Sequence, residues 1–203
     1  MHKLTIVLGV TAALLHGVAY LLYARQTKVG SSSPKSASWG VWAFVSILNA
    51  LTFSAMSGNW MVALQFFTGS VACVLVFLYM WAIGKLVWPT PKEWRLFSLG
   101  ILAAIVWWVF RTAAGANMIV FIALATPFIS MYEELWADPR KETPRSWILW
   151  TLASLVTTAN VIVNWKGQPL NLVVPIGGAA LHGVVAMLSS RSRKERLRFR
   201  FGS

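Results

Sequence analysis

The chain has only six acidic residues in 203, and none lies in the middle of an apolar run. Glu93, Glu133, Glu134, Asp138, Glu142 and Glu195 all fall at run ends or between runs. That scarcity argues against a buried carboxylate relay and against ion-driven chemistry. The lone cysteine, Cys73, rules out an intrachain disulfide and a Cys-based metal site, and reads as a small packing residue. His-Glu-x-x-His, Gly-x-Ser-x-Gly and a phosphate-binding glycine loop are all missing. No polar stretch is long enough to host a soluble catalytic domain. The chain is therefore expected to be no enzyme and to need no cofactor or metal.

What the chain has is apolar surface, with 57% of its residues hydrophobic. Seven runs approach the roughly 20 residues that cross a bilayer core about 30 Å thick. They are Leu4–Ala24, Trp39–Met56, Trp60–Gly84, Trp94–Phe110, Ala116–Leu135, Trp147–Val163 and Leu170–Ser189. Basic residues fall on alternate connections. Arg25, Lys28 and Lys35 follow run one; Lys85, Lys92 and Arg95 follow run three; Arg140, Lys141 and Arg145 follow run five; six more follow run seven. The other connections and the start hold only Lys3, Arg111 and Lys166. Lys and Arg concentrate on cytoplasmic loops, which predicts an inner-membrane protein with its N-terminus outside and C-terminus inside. The first run is too long, and Leu22-Tyr23-Ala24 too poor a cleavage site, for a removed signal peptide. The net charge of +12 is then mostly topogenic and implies no nucleic-acid partner. The tail Arg191–Arg200, with Leu197 and Phe199 interleaved, reads either as solvated or as lying on the anionic inner leaflet.

The chain also repeats itself. Ser38-Trp39-Gly40-Val41-Trp42 and Ser146-Trp147-Ile148-Leu149-Trp150 open runs two and six, 108 residues apart, each after a Pro/basic/Ser segment. The same offset pairs Gly69 with Gly177. The expected fold is all-α integral membrane: two parallel three-helix-bundle repeats, 1–86 and 116–190, joined by a linker helix in 87–115, with a basic tail 191–203. The linker restores parity, so both units insert in the same orientation. This 3+1+3 layout, with Pro127 in Ala125-Thr126-Pro127-Phe128-Ile129 and Pro144 beyond it, resembles the SWEET, SemiSWEET and PQ-loop superfamily of transporters. No Pro-Gln pair occurs, and Leu15-His16-Gly17 stands about where the second unit has Thr126-Pro127-Phe128.

Polar residues deep in apolar runs are the site candidates. His16 and His182 each lie 12 residues into their runs, about 18 Å along a helix. Each reads as an interhelical hydrogen bonder, a cavity-lining group or a proton switch. Asn49 and Asn160, on runs two and six, offer donors and acceptors together, either as interhelical glue or toward a neutral hydroxylated solute. Gln65 lies near the start of run three. Trp42 and Trp150 read as interface anchors or as stacking faces; Trp39, Trp60, Trp94, Trp136, Trp147 and Trp165, at run ends, read as an aromatic belt. Pro127 and Pro175 break the backbone ladder of their helices and are candidate hinges or gates.

The resemblance implies facilitated diffusion of a small neutral solute, a sugar first of all, by alternating access, in a monomer or homo-oligomer. Two other readings stand beside it: a proton-linked PQ-loop carrier of a polar metabolite, and a membrane scaffold or accessory subunit that transports nothing.

Overall fold

In a computed structural model the described residues are 3–32, 38–82 and 91–201. The segments with Pro34, Lys35 and Lys85, and the expected boundary at 86, lie outside them. Seven α-helices follow one another: α1 Lys3–Lys28, α2 Ser38–Ser57, α3 Leu64–Ala82, α4 Pro91–Phe110, α5 Ala113–Ala137, α6 Pro144–Val163 and α7 Leu170–Phe201. A 3-10 turn, Pro139–Lys141, leads into α6, and no strand occurs among the described residues.

Residue type explains which side of each helix packs. The buried residues of α1 are Thr5, Gly9, Ala12, His16, Ala19, Tyr23 and Gln26. Their alternating spacing of four and three keeps them on one stripe. The stripe is small or polar, while Leu14 and Leu21 on the other side are 65% and 74% exposed. Elsewhere polar groups are buried beside an apolar core that includes Phe53 and Leu135. Gln65, Asn117, Asn160, Thr5, Thr52 and Thr157 rank among its most completely buried side chains, whereas Trp81, Trp108, Ile122 and Met187 face outward. Water-soluble proteins sort the other way.

Four helices are long and apolar enough to cross a membrane: Lys3–Lys28, Ala113–Ala137, Pro144–Val163 and Leu170–Arg191 of α7. The other three, α2, α3 and α4, are 20, 19 and 20 residues long and are apolar over Trp42–Ser57, Leu64–Tyr79 and Phe97–Phe110 among the described residues. Of the runs expected from sequence, the third starts later. The third loses its start because Gly58, at φ 61°, and a turn over 59–63 take up residues read as helix. Asn59 stabilises that turn, its Oδ1 accepting from the Met61 N–H at 3.0 Å. At the other extreme, α7 runs on without a break through the basic segment to Phe201.

Neighbour order places the core. α3 lies between α1 and α2, which barely touch each other; α7 lies in the same way between α5 and α6. Across the two triplets, α1 packs on α6 and α2 on α5. α4 rides outside, on α2 and α5. Its link to α5 is only two residues long: Arg111 adopts φ 52° and lies over the Trp108 ring, and Thr112 caps α5 by accepting from the Gly115 N–H at 3.2 Å.

Directions follow from the contacts. Gln65 meets His16 and Cys73 meets Tyr20, so α1 and α3 are parallel. Thr5 meets Asn164 while Tyr23 meets Glu142, so α1 and α6 are antiparallel. Arg25, Lys28, Arg140, Lys141 and Arg145 thus gather at one end of the bundle. Arg191 joins them, lying 4.6 Å from the centre of the Trp136 ring. Asp138 at that end accepts from Arg140 Nε at 2.9 Å and from the Arg140 N–H at 3.1 Å. Those bonds hold its carboxyl below the usual carboxylate range.

Candidate functional site

A cavity of about 160 Å³ lies between the two triplets, roughly tenfold the space one water needs. Of the seven sequence-derived binding candidates, His16, His182, Gln65, Trp42, Trp150 and Asn49 line it. Asn160 does not. It is fully buried between α6 and α1, donating from Nδ2 to the Thr5 carbonyl at 3.2 Å and accepting from Asn164 Nδ2 at 3.0 Å. Both ends of its amide are committed to holding helices together. Pro127 and Pro175 each sit inside a continuous helix, α5 and α7, and neither lines the cavity.

Local sequence places the polar wall. Gln65, in the first turn of α3, is fully buried and all its bonds are made. Its Nε2 donates to His16 Nδ1 at 3.2 Å and to Ser154 Oγ at 3.2 Å, while its Oε1 accepts from Thr157 Oγ1. One amide therefore ties α3 to α1 and to α6. Since His16 Nδ1 accepts here, the neutral imidazole carries its proton on Nε2. That edge of the ring lies against Gly69, where a Cβ would come 2.8 Å from Nε2. Glycine there leaves room for the histidine. We expect Gln65→Ala to lower stability by about 2 kcal/mol, three interhelical bonds being lost. Thermal unfolding in detergent measures this, and an unchanged midpoint would show that the network carries no load.

Asn49 belongs to a second cluster. Its Oδ1 accepts from Asn117 Nδ2 at 3.0 Å, and the same Nδ2 lies 2.9 Å from Thr52 Oγ1, which joins α2 to α5.

Aromatic rings close the cavity toward the basic end. Trp150 meets Tyr20 edge-on at 5.1 Å between centres and Trp147 at 4.9 Å, while His182 lies 5.5 Å from Phe128 and 5.8 Å from Trp150. Trp147, expected in the aromatic belt, points inward instead and is 4% exposed. It turns inward because Glu142 holds it: Glu142 accepts from Trp147 Nε1 and from the Tyr23 hydroxyl, each at 3.1 Å. Trp60, Trp94, Trp136 and Trp165 do face outward, and the side chain of Trp39 lies outside those described.

Spacing by itself does not single out Tyr20, Tyr23, Ser154 or Glu142. A stronger signal exists, the 108-residue offset applied to side chains. His16 and Leu124, Tyr20 and Phe128, Trp42 and Trp150, Ser46 and Ser154, Phe66 and Val174, and Cys73 and Leu181 are six pairs at that offset, and all twelve residues line this cavity. Positions that correspond in sequence thus meet around a common space.

The lining, among the described residues, holds no Lys, Arg, Asp or Glu. Among the described residues no group of three His, Cys, Asp or Glu is placed to hold a metal ion. The arrangement is equipped to bind by hydrogen bonding and ring contact. No family model, curated protein or solved structure matches the chain.

Proposed function

We propose that the protein is an integral membrane transporter, similar in plan to the SWEET and PQ-loop superfamily, that carries a small neutral solute through this cavity by facilitated diffusion. The observation that carries the proposal is the six offset pairs around one central space. The shared order of the helices supports it: the third of each triplet lies between the other two, and α1 on α6 mirrors α5 on α2. The outward apolar and inward polar faces support a bilayer setting, since polar groups in lipid must find partners inside. The gathering of basic residues at one end supports a cytoplasmic placement for that end.

Alternating access requires opening one end while the other stays shut. Hydrogen bonds between α1 and α6 mark both ends. Thr5 Oγ1 donates to Asn164 Oδ1 at 3.0 Å at one end. At the other, Tyr23 reaches Glu142, Ser146 donates to Gln26, and Thr143 donates to the Ser31 carbonyl at 2.8 Å. Rocking of the triplets would break one set at a time. The resemblance makes a sugar the first solute to test.

Uptake of labelled mono- and disaccharides and other neutral solutes into proteoliposomes is the decisive experiment. Saturable flux is expected. In Asn49→Ala the half-saturation concentration should rise about tenfold, the effect of one lost hydrogen bond. Asn160→Ala should instead cost about 1 kcal/mol of stability and leave half-saturation unchanged. Folded protein that moves no neutral solute would remove the transporter reading in favour of a scaffold. One observation favours a proton-linked carrier as the second reading: both histidines line the cavity. Flux that does not respond to an imposed proton gradient would dismiss it.

A further inference from the structure

The two walls of the cavity correspond in position but differ in chemistry. At the 108-residue offset, His16 has Leu124 as its counterpart, Tyr20 has Phe128 and Cys73 has Leu181, and all six line the cavity. In these three of the six pairs the residue from α1 or α3 is polar and the one from α5 or α7 is apolar, while the other three pairs match in character and His182 adds one polar group on α7. A symmetric cavity would treat both edges of a solute alike; this one does not.

The uncommitted nitrogens sharpen the point. Asn49 spends its Oδ1 on Asn117, which leaves its Nδ2. His16 spends Nδ1 on Gln65, which leaves the protonated Nε2. Trp150 Nε1 and His182 Nδ1 also lack a partner. Three of the four are N–H donors, and the fourth takes either role with its tautomer. Gln65, the other amide in the lining, has both Nε2 hydrogens committed and its Oε1 held by Thr157. With no charged side chain among the described lining residues, an ion would meet no counter-charge there.

We infer that the cavity selects a neutral, amphipathic solute with hydrogen-bond acceptor oxygens on one edge and apolar or aromatic surface on the opposite edge. The inference deepens the transport reading, on which it rests, by naming the class of solute. A molecule hydroxylated on every edge would press hydroxyls against Leu124, Phe128 and Leu181. Each hydroxyl left unpaired there weakens binding by roughly tenfold. An acceptor edge turned to His16 on α1 and Asn49 on α2 meets donors, and a ring turned toward α5 meets Phe128 and Leu124.

The test is equilibrium binding to the purified full chain, followed by tryptophan fluorescence, with three probes. N,N-dimethylbenzamide carries a ring and an acceptor oxygen without a donor; benzylammonium carries a ring and a cationic donor; glucose is hydroxylated all round. The amide is expected to bind saturably, at least tenfold tighter than the other two. Asn49→Ala should weaken it five- to thirty-fold while Asn117 keeps Thr52 as a partner, so the fold has a reason to survive. Phe128→Tyr places on the apolar wall the residue that its counterpart position carries. It should narrow the gap between amide and glucose several-fold. Glucose binding as tightly as the amide would overturn the inference. So would an amide Kd equal in all three proteins, or no saturable binding by any probe. Amide binding without flux of any solute would keep the solute class and remove the transporter reading. Sugar flux with no preference for the amide would do the reverse.

Discussion

Glu142→Ala is expected to lower the stability of the folded protein by about 3 kcal/mol. Its carboxylate is buried at the basic end of the cavity, where it accepts from the Tyr23 hydroxyl and from Trp147 Nε1. Alanine leaves both donors without that acceptor. A buried donor left unpaired costs about 1–3 kcal/mol, and the lost contact between α1 and α6 adds to it. The two rings are in contact, Tyr23 and Trp147 lying 6.0 Å apart between centres, and each also touches Trp150. Release of the latch should therefore loosen the aromatic end of the cavity as well as the fold. Glu142→Gln keeps one acceptor oxygen and should recover about half of the loss. Thermal unfolding of the three proteins in one detergent gives the ranking. Alanine and glutamine variants as stable as the parent would mean that the latch is not a structural element.

Gly9→Ala should have an effect of similar size for a different reason. A Cβ at Gly9 would lie 2.4 Å from the Met61 carbonyl oxygen and 3.2 Å from its carbon. Both are backbone atoms of the turn before α3, so no side chain can swing aside. α1 would have to back away, carrying Thr5 from Asn164 and from the Asn160 amide that bonds its carbonyl. Overpacking of this kind costs about 1–3 kcal/mol, and the broken polar contacts raise the total toward 3. Gly17→Ala is the matched control. Its Cβ would meet only Thr68 Cγ2, at an ordinary 3.6 Å, so alanine's better helix propensity, about 1 kcal/mol over glycine, is free to act. The pair should shift in opposite directions. A Gly9→Ala protein as stable as Gly17→Ala would show that α1 is not wedged against that turn.

The two glycines also show how far sequence reading reaches. Both stand in the same apolar run, and nothing in that run distinguishes them. The obstacle at Gly9 is a carbonyl 52 residues further along the chain, and only packing brings it near. Asn49 and Asn160 teach the same lesson. Both are asparagines on corresponding helices, yet Asn49 lines the cavity with a spare Nδ2, and Asn160 is sealed between α6 and α1. A helical residue's role depends on which few degrees of the helix face the centre. Sequence periodicity resolves a stripe, not that angle.

Trp147 and Glu142 mark a further limit. A tryptophan at the start of an apolar run has the composition of an interface anchor, and an acid in a short polar connection has that of a solvated loop. The contact between them turns both inward. Hydropathy scores each residue alone, so it misses a pair that buries itself by mutual satisfaction.

The sequence by itself determined the helical class, the number and order of the helices, and the end of the bundle that gathers basic charge. All of these follow from one-dimensional regularities: run length, charge alternation and the 108-residue offset. The tertiary structure decided which polar groups are used up and which remain. It spent Gln65 on three partners, set His16 on one tautomer, set Leu124, Phe128 and Leu181 opposite in character to their polar counterparts His16, Tyr20 and Cys73, and took Asn160 out of the cavity. A hydrogen bond needs a partner within about 3 Å. For Gln65 that partner stands 49, 89 or 92 residues away in the chain, a distance that local pattern does not span.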